Sequence, residues 1–283
     1  MVGAAGQLGA AIVHEFAGNA RTYDILPLTR AELDITDDAA VASVFERVRP
    51  NVIINCAAYN DVDGAETHPL DALNANAYAV RALARAAARH DATFVHYSTD
   101  FVFDGTATRP YTEADAPNPR SVYATSKLLG EWFAADAPRA YVLRVESLFG
   151  QAPNGPRPKG SVAAILRALR AGESAKVFSD RTISPTYVLD AARVTRELLE
   201  RSAAPGLYHC VNSGMCTWLE LGREVARLQG VEPNLTPVTL AEAQLLAARP
   251  QFCALSNQKL RAVGITILPW QHALRNYLSA RVV

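Results

Sequence analysis

The chain has 283 residues with 28 basic and 28 acidic side chains, so it lacks the basic excess that a dedicated nucleic-acid binder carries. Hydrophobic residues make up 49%, enough core for one large domain or two smaller ones, and the 20% that are charged suit a surface facing water. No apolar run approaches the roughly 20 residues of a membrane span, and the opening residues do not read as an export leader; the expected setting is cytoplasmic, without membrane or nucleic acid as partner.

The chain opens on Gly3-Ala-Ala-Gly6-Gln-Leu-Gly9, followed at once by an apolar-periodic segment over residues 8–16. Glycines at this spacing permit a tight turn, close approach of backbone to a pyrophosphate, and close packing of helix on strand. The helix start then offers free N–H groups and a positive dipole end to phosphate. Such a turn follows a β-strand, and in a doubly wound sheet that strand is central. Only Met1 and Val2 precede Gly3, so the first strand is expected to be missing from the chain as given, by roughly 4–6 residues, about one short strand.

Residues 24–28 read as a strand, and Thr36 is placed to cap a helix over 37–49. Residues 52–57 form an apolar strand of the buried parallel type. The Ala- and Arg-rich stretch 75–90 sets Val80, Leu83, Ala84 and Ala87 on one helical stripe. A strand over 93–97 ends in Ser98-Thr99-Asp100, and a Pro-rich loop leads to the helix carrying Tyr123 and Lys127, then to a strand at 141–145. Beyond Gly150 the rhythm loosens into a Pro/Gly loop at 151–160, a helix at 162–170 and a turn-rich stretch at 180–186. A helix at 187–200, a strand at 206–211 and helices at 219–228 and 270–278 follow. The βα alternation predicts an α/β fold, a Rossmann-type doubly wound parallel sheet over residues 1–150 with a smaller C-terminal substrate lobe over 151–283. Part of 187–212 is expected to return to the first domain. Cys56, Cys210, Cys216 and Cys253 form no Cys-x-x-Cys pair and are expected to be reduced thiols, and no carboxylate cluster shows the spacing of a metal site.

Tyr123-Ala-Thr-Ser-Lys127 is the stretch with most chemical content. Positions four apart share a helix face, so the phenol and the ammonium can reach one site. A nearby cation favours phenolate and would pull the Tyr pKa from about 10 towards neutrality, making Tyr123 a usable general acid or base.

The glycine turn, Ser98-Thr99-Asp100-Phe-Val-Phe-Asp-Gly105 and Tyr123-x-x-x-Lys127 together resemble the extended short-chain dehydrogenase/reductases. More narrowly, the chain resembles the dTDP-4-dehydrorhamnose reductase family through Thr29-Arg-Ala-Glu-Leu-Asp-Ile35, Ala57-Ala-Tyr-Asn-Asp-Val-Asp63, Pro110-Tyr-Thr-Glu113, Gly206-Leu-Tyr-His209, Trp218, Arg249-Pro250 and Trp270. The resemblance implies an NAD(P)H-dependent oxidoreductase of dTDP-rhamnose biosynthesis. It would reduce the 4-keto group of a dTDP-4-dehydro-6-deoxysugar, dTDP-4-dehydro-L-rhamnose in the first place. Reducing a ketone builds negative charge on oxygen, so the site must supply a proton and hydrogen-bond donors there. Tyr123 would give the proton, Lys127 would keep its pKa low and hold the nicotinamide ribose, and Thr99, at a strand's carboxyl end, would orient the carbonyl.

For the cofactor, the turn residues Gly3, Gly6, Gln7 and Leu8 would meet the pyrophosphate. An acid at the end of the second strand selects NAD, whereas an Arg accommodates the 2′-phosphate of NADP. Thr29-Arg30 stands there, which favours NADPH and leaves NADH possible. By resemblance Asp34 and Ile35 would border the adenine, Ala57, Ala58 and Tyr59 would pass the phosphates and ribose, and Asn76 would lie near the site. Asp100, Phe101 and Val102 would flank the sugar. Arg249 could meet the diphosphate, and Arg181, where relatives more often have Gln, either adds charge for it or pairs locally. Trp218 and Trp270 are expected in the core.

Two departures bear on the sugar. Relatives commonly show Arg-Thr-Ser-Trp-Val-Tyr-Gly where this chain has Arg144-Val-Glu-Ser-Leu-Phe-Gly150, so Ser147 replaces an aromatic and Glu146 is new. Arg144 and Glu146, two apart on a strand, are expected to pair; the alternative is a roomier pocket for a different 4-keto sugar. Phe101, where Tyr is usual, removes one hydroxyl. Nucleotide-sugar 4,6-dehydratases look for Thr-Asp-Glu at the strand end, and Thr99-Asp100-Phe101 lacks the second acid. A reductase or epimerase acting on another nucleotide sugar remains open. So does a regulatory subunit that binds NADP without catalysis, although Thr99, Tyr123 and Lys127 all survive.

Overall fold

The computed structural model describes residues 1–19 and 22–280. Its centre is a parallel sheet in the order Val52–Asn55, Thr93–Thr99, Ala140–Val145, Gly206–His209. The strands are apolar on both faces because helices cover both, and side chains alternate between two cores as a pleated strand requires. Ile53, Phe94 and Val142 point to one side, with Val41, Phe45, Val80 and Leu83 from the helices Asp38–Val48 and Ala79–Arg89. Ile54, Val95 and Leu143 point to the other, with Ile12 and Phe16 of Gln7–Ala17 and Leu198 of Val188–Glu200.

At the centre of the doubly wound order, Val2 stands between Leu28 and Asn55 in parallel bridges to each. Val2 N donates to Ile54 O at 2.9 Å, Cys56 N to Val2 O at 3.0 Å, and Leu28 N to Met1 O at 2.9 Å. Two residues therefore carry the ladder where a full central strand is expected. The stretch 24–28 contributes only Leu28 to the sheet, a correction to the strand expected there.

Two further local expectations change. The helix Asp38–Val48 is capped by Asp37, whose side chain accepts from Ala40 N; Thr36 instead donates its hydroxyl to Asp34 Oδ1 at 2.7 Å. The 75–90 helix is interrupted at its start by a π-helical turn, Asn74–Tyr78, before the α-helix Ala79–Arg89 begins. Such turns often accompany functional sites.

From the second half, Val188–Glu200 packs on Gln7–Ala17 and Gly206–His209 extends the central sheet. The remaining elements include the parallel pair Ala175–Phe178 and Leu235–Val238 and the helices Ser161–Arg170, Trp218–Gln229 and Trp270–Ser279. Trp218 and Trp270 are both buried in the larger core.

Candidate active site

The carboxyl ends of the central strands open onto two contiguous cavities of about 510 and 760 Å³, which share Ala5, Gly6, Cys56, Ala57, Ala58 and Asn60. The glycine turn walls both. Gly3 has φ +79° and a Cβ there would come within 2.5 Å of Ala57 N, while a Cβ on Gly9 would come within 2.1 Å of Gly3 O. Only glycine permits this approach of turn, helix and strand. Gly6 caps the helix Gln7–Ala17 without a side-chain bond, so the first-turn N–H groups face the cavity unspent by a cap.

The smaller cavity is lined by Gly3, Gly6, Arg30, Asp34, Ile35, Ala57, Ala58 and Tyr59, most of the residues expected to hold a dinucleotide. An acid does stand beside Arg30: Asp34 Oδ2 lies 3.4 Å from Arg30 Nε. The other oxygen, Asp34 Oδ1, already accepts from Thr36 N and Oγ1, and these bonds hold the carboxyl below its usual pKa. Gln7 and Leu8 line the larger cavity, and Gln7 Nε2 donates to Gly150 O at 2.7 Å, tying the glycine turn to the start of the 151–160 loop.

Thr99, Tyr123 and Lys127 meet in the larger cavity. Tyr123 and Lys127 lie in the first turns of Val122–Ala134, which starts cleanly because Ser121 accepts from Ala124 N and Glu66 accepts from Val122 N at 2.8 Å. Both side chains are buried. Lys127 Nζ donates to Tyr97 O at 2.6 Å, and burial brings its pKa down to about 8. The Tyr123 phenol moves opposite to the expectation. Burial raises its pKa and the nearby Asp100 raises it further, while a hydrogen bond with Thr99 and the charge of Arg249 oppose them. The phenol therefore stands protonated near neutral pH rather than as a phenolate.

Next to Thr99 lies a buried cluster that the sequence did not announce. Thr99 Oγ1 donates to Asp100 Oδ1 at 3.0 Å, and Arg181 approaches Asp100 Oδ2 at 3.7 Å. Arg181 also donates to Pro250 O at 3.1 Å and lies 5.0 Å from the Phe101 ring centroid. Its guanidinium pairs with Asp100 rather than near Asp180, and the residue also lines the larger cavity. The expected Arg144–Glu146 pair does not form. Arg144 makes a two-pronged bond to Glu131 at 2.8 and 2.7 Å, because the strand Ala140–Val145 ends before Glu146 and Ser147 turns the chain with φ +45°. Glu146 is swung to Ser184 N, which donates to it at 2.6 Å. Asp100, Glu146 and Cys253 then present ligand-type atoms all within 4.8 Å of one another. The Arg181 guanidinium, 3.4 Å from Cys253 Sγ, already supplies the positive charge there, which disfavours a metal cation.

The family model for the RmlD substrate binding domain matches residues 1–282. The chain belongs to this family. Among its relatives, the dTDP-4-dehydrorhamnose reductase of Mycobacterium tuberculosis is 38% identical, over 99% of this chain and 92% of that protein. A probable dTDP-4,6-dihydroxy-2-methyloxan-3-one 4-ketoreductase of Streptomyces antibioticus is 35% identical, over 97% of this chain and 92% of that protein. The crystal structure of dTDP-4-dehydrorhamnose reductase from Bacillus anthracis in complex with NADP superimposes with a TM-score of 0.91 at 33% identity, covering 99% of this chain and 97% of that one.

Within this RmlD-family chain, three expected site residues stand away from the cavities. Asn76 is buried and its amide is used in structure: it accepts from Tyr59 N at 2.8 Å and donates to Tyr59 O and Ser126 Oγ, both at 3.0 Å. It positions the Ala57–Tyr59 backbone from behind and makes no wall of either cavity. Val102 is fully buried beside Phe103, Tyr111 and Leu255, a core residue rather than a sugar contact. Arg249 pairs with Asp63 at 3.1 Å and lies 5.7 Å from the Phe101 ring centroid, at the edge of the site. Conversely, Ser147, Arg157, Lys159 and Trp218 line the larger cavity. Of these, the basic pair Arg157 and Lys159 lies in the Pro/Gly loop at 151–160, and its charge is the one signal visible in the sequence.

Proposed function

We propose that this chain reduces the 4-keto group of a dTDP-4-dehydro-6-deoxysugar with NADPH, dTDP-4-dehydro-L-rhamnose being the first candidate substrate. The observation that carries this reading is the convergence of Thr99, Tyr123 and Lys127 on one cavity continuous with the glycine turn. The relatives' names and the NADP found in the B. anthracis structure support the same reaction and cofactor.

The residues present suit a dinucleotide: a glycine cradle that a Cβ would fill, an open helix start, and Arg30 at the mouth with its side chain 89% exposed. Bound there, NADPH supplies the hydride. Arg30 would face the 2′-phosphate, Ile35 the adenine, Ala57–Tyr59 the ribose and phosphates, and Lys127 the nicotinamide ribose. Tyr123, protonated at rest, donates its proton to the substrate oxygen as charge builds there, and Thr99 offers a second hydrogen bond. Asp100 and Phe101 wall the sugar, with Arg249 at the rim for the diphosphate. The first half of the chain thereby holds the cofactor and residues 151–283 mainly close on the sugar. Ser147, small and left-handed at the cavity wall, favours a pocket that admits more than one 4-keto sugar. The test is NADPH oxidation across several dTDP- and UDP-linked 4-keto sugars. Turnover restricted to dTDP-linked 6-deoxy substrates is expected; NADPH binding without turnover of any of them points instead to a regulatory subunit.

A further inference from the structure

The Asp100–Glu146 cluster offers more than packing. Both carboxyl groups are buried, at 3% and 1% exposure, and Asp100 Oδ2 and Glu146 Oε1 each lack a hydrogen-bond partner. A carboxylate oxygen of each lies within 4.8 Å of the other. One guanidinium serves both, and it sits against Asp100 rather than Glu146. Two buried carboxylates with one cation would leave an uncompensated negative charge, whereas one retained proton makes the cluster neutral. The surrounding groups agree. Arg181 and Ser184 N face Glu146 from the 180–186 segment, Cys216 and Cys253 are thiols that burial keeps protonated, and Tyr123 faces Asp100 from the other side. Burial raises both carboxyls, and the charge of Asp100 raises Glu146 further.

The hydroxyl of Thr99 has one hydrogen; it is directed at Asp100 Oδ1, with the Tyr123 phenol oxygen as its competing acceptor. A hydroxyl so engaged cannot also donate to a substrate oxygen. We propose that Asp100 and Glu146 share a single proton, and that its passage from Glu146 to Asp100 releases the Thr99 hydroxyl to donate to the substrate's developing oxyanion. In this step the Glu146 O–H bond breaks and an O–H bond forms on Asp100, with no net change of charge in the pair. Asp100 Oδ1 changes from a carboxylate to a carbonyl oxygen, a weaker acceptor, and the Thr99 hydrogen turns to the sugar. The transfer requires the two oxygens, within 4.8 Å of each other, to come to hydrogen-bond distance. Glu146 is thereby a positioning residue, acting through Asp100 on Thr99. The functional half of this proposal rests on the ketone-reduction reading above.

Two measurements test it. Infrared spectroscopy of the ligand-free protein at neutral pH should show the carbonyl stretch of an un-ionised carboxyl group. It should vanish in Glu146→Gln, where Asp100 alone stays ionised against Arg181, and shift in frequency in Asp100→Asn, where the partner carboxylate is lost and burial alone keeps Glu146 protonated. Calorimetric NADPH binding certifies that each variant is folded. No such band in the wild type, a band that persists in Glu146→Gln, or one unaltered in Asp100→Asn overturns the sharing. In the assay, wild-type kcat should fall as pH rises and the pair loses its proton, above the ordinary carboxylate range. Glu146→Gln should lower the plateau roughly tenfold, less than the 10²–10³ of an entire oxyanion donor, with the KM for NADPH unchanged. It should also lack the limb due to the pair, since Asp100 alone stays ionised, and keep only the fall at about pH 8 where Lys127 loses its proton in both proteins. Identical pH profiles throughout in wild type and variant overturn the coupling to Thr99. The infrared pattern without turnover of any keto sugar supports the shared proton and refutes the reductase reading instead.

Discussion

Tyr123 carries the proton in this account, and its environment sets how a substitution should read. The phenol is buried, protonated and next to Thr99, while Lys127 is anchored on the backbone at Tyr97. Tyr123→Phe should therefore lower kcat by about 10²–10⁴, the usual range for a lost general acid, with NADPH affinity nearly unchanged by calorimetry. Lys127→Ala should damage both quantities. It removes the ammonium proposed for the nicotinamide ribose and leaves Tyr97 O without its donor in a buried setting. Unaltered NADPH affinity in Lys127→Ala would count against the ribose contact.

At the scale of elements, the site depends on the close fit between the Tyr123 helix and the π-helical turn Asn74–Tyr78. A Cβ on Gly130 would come within 2.2 Å of Asn76 O, so Gly130→Ala must part these two elements. Displacing Asn76 also disturbs its bonds to Tyr59 and Ser126, so thermal unfolding should show a loss of about 1–3 kcal/mol, together with weaker NADPH binding. The same helix carries Glu131, locked to Arg144 of the neighbouring strand with both side chains buried. Arg144→Met leaves that carboxylate unpaired and should cost about 3–5 kcal/mol in chemical denaturation. The sequence pointed Arg144 at Glu146 because period-two spacing was carried past the strand's end. The left-handed turn at Ser147, a conformation that non-glycine residues rarely signal, redirected Glu146 to Ser184.

Across the whole molecule, the parallel sheet, its covering helices and the cavity at the strand ends could be read from apolar runs, glycine spacing and the family resemblance. Contacts between distant segments could not. Glu146, Arg181 and Cys253 meet Asp100 only through tertiary packing, so the second carboxylate that the chain lacks directly after Asp100 arrives in space from another strand end. Asn76 matched a familiar position, but its actual partners depend on the π-turn, which no local pattern showed. Burial of histidines gives the molecule a global pH signature. His209 is pushed down to about 3 by burial and by Arg144, and His96 is held well below its usual value by burial. Unfolded histidine titrates near about 6.5, so in the window between these values the unfolded state binds more protons. This contribution is complete above about pH 6.5 and is lost as pH falls towards about 3. Asp100 and Glu146, raised when folded, work in the opposite sense and offset part of it. The melting temperature should therefore fall on acidification from neutrality, and His209→Gln should flatten the slope in a calorimetric pH series.

The reduction itself is tested most directly by following NADPH absorbance as purified protein is mixed with dTDP-4-dehydro-L-rhamnose, wild type beside Tyr123→Phe. The expected result is stoichiometric oxidation of NADPH with a dTDP-6-deoxysugar as product, and loss of most of the rate in the variant. Wild-type protein that binds NADPH yet oxidises none with any dTDP-4-keto-6-deoxysugar, or a Tyr123→Phe variant as fast as the wild type, would contradict it.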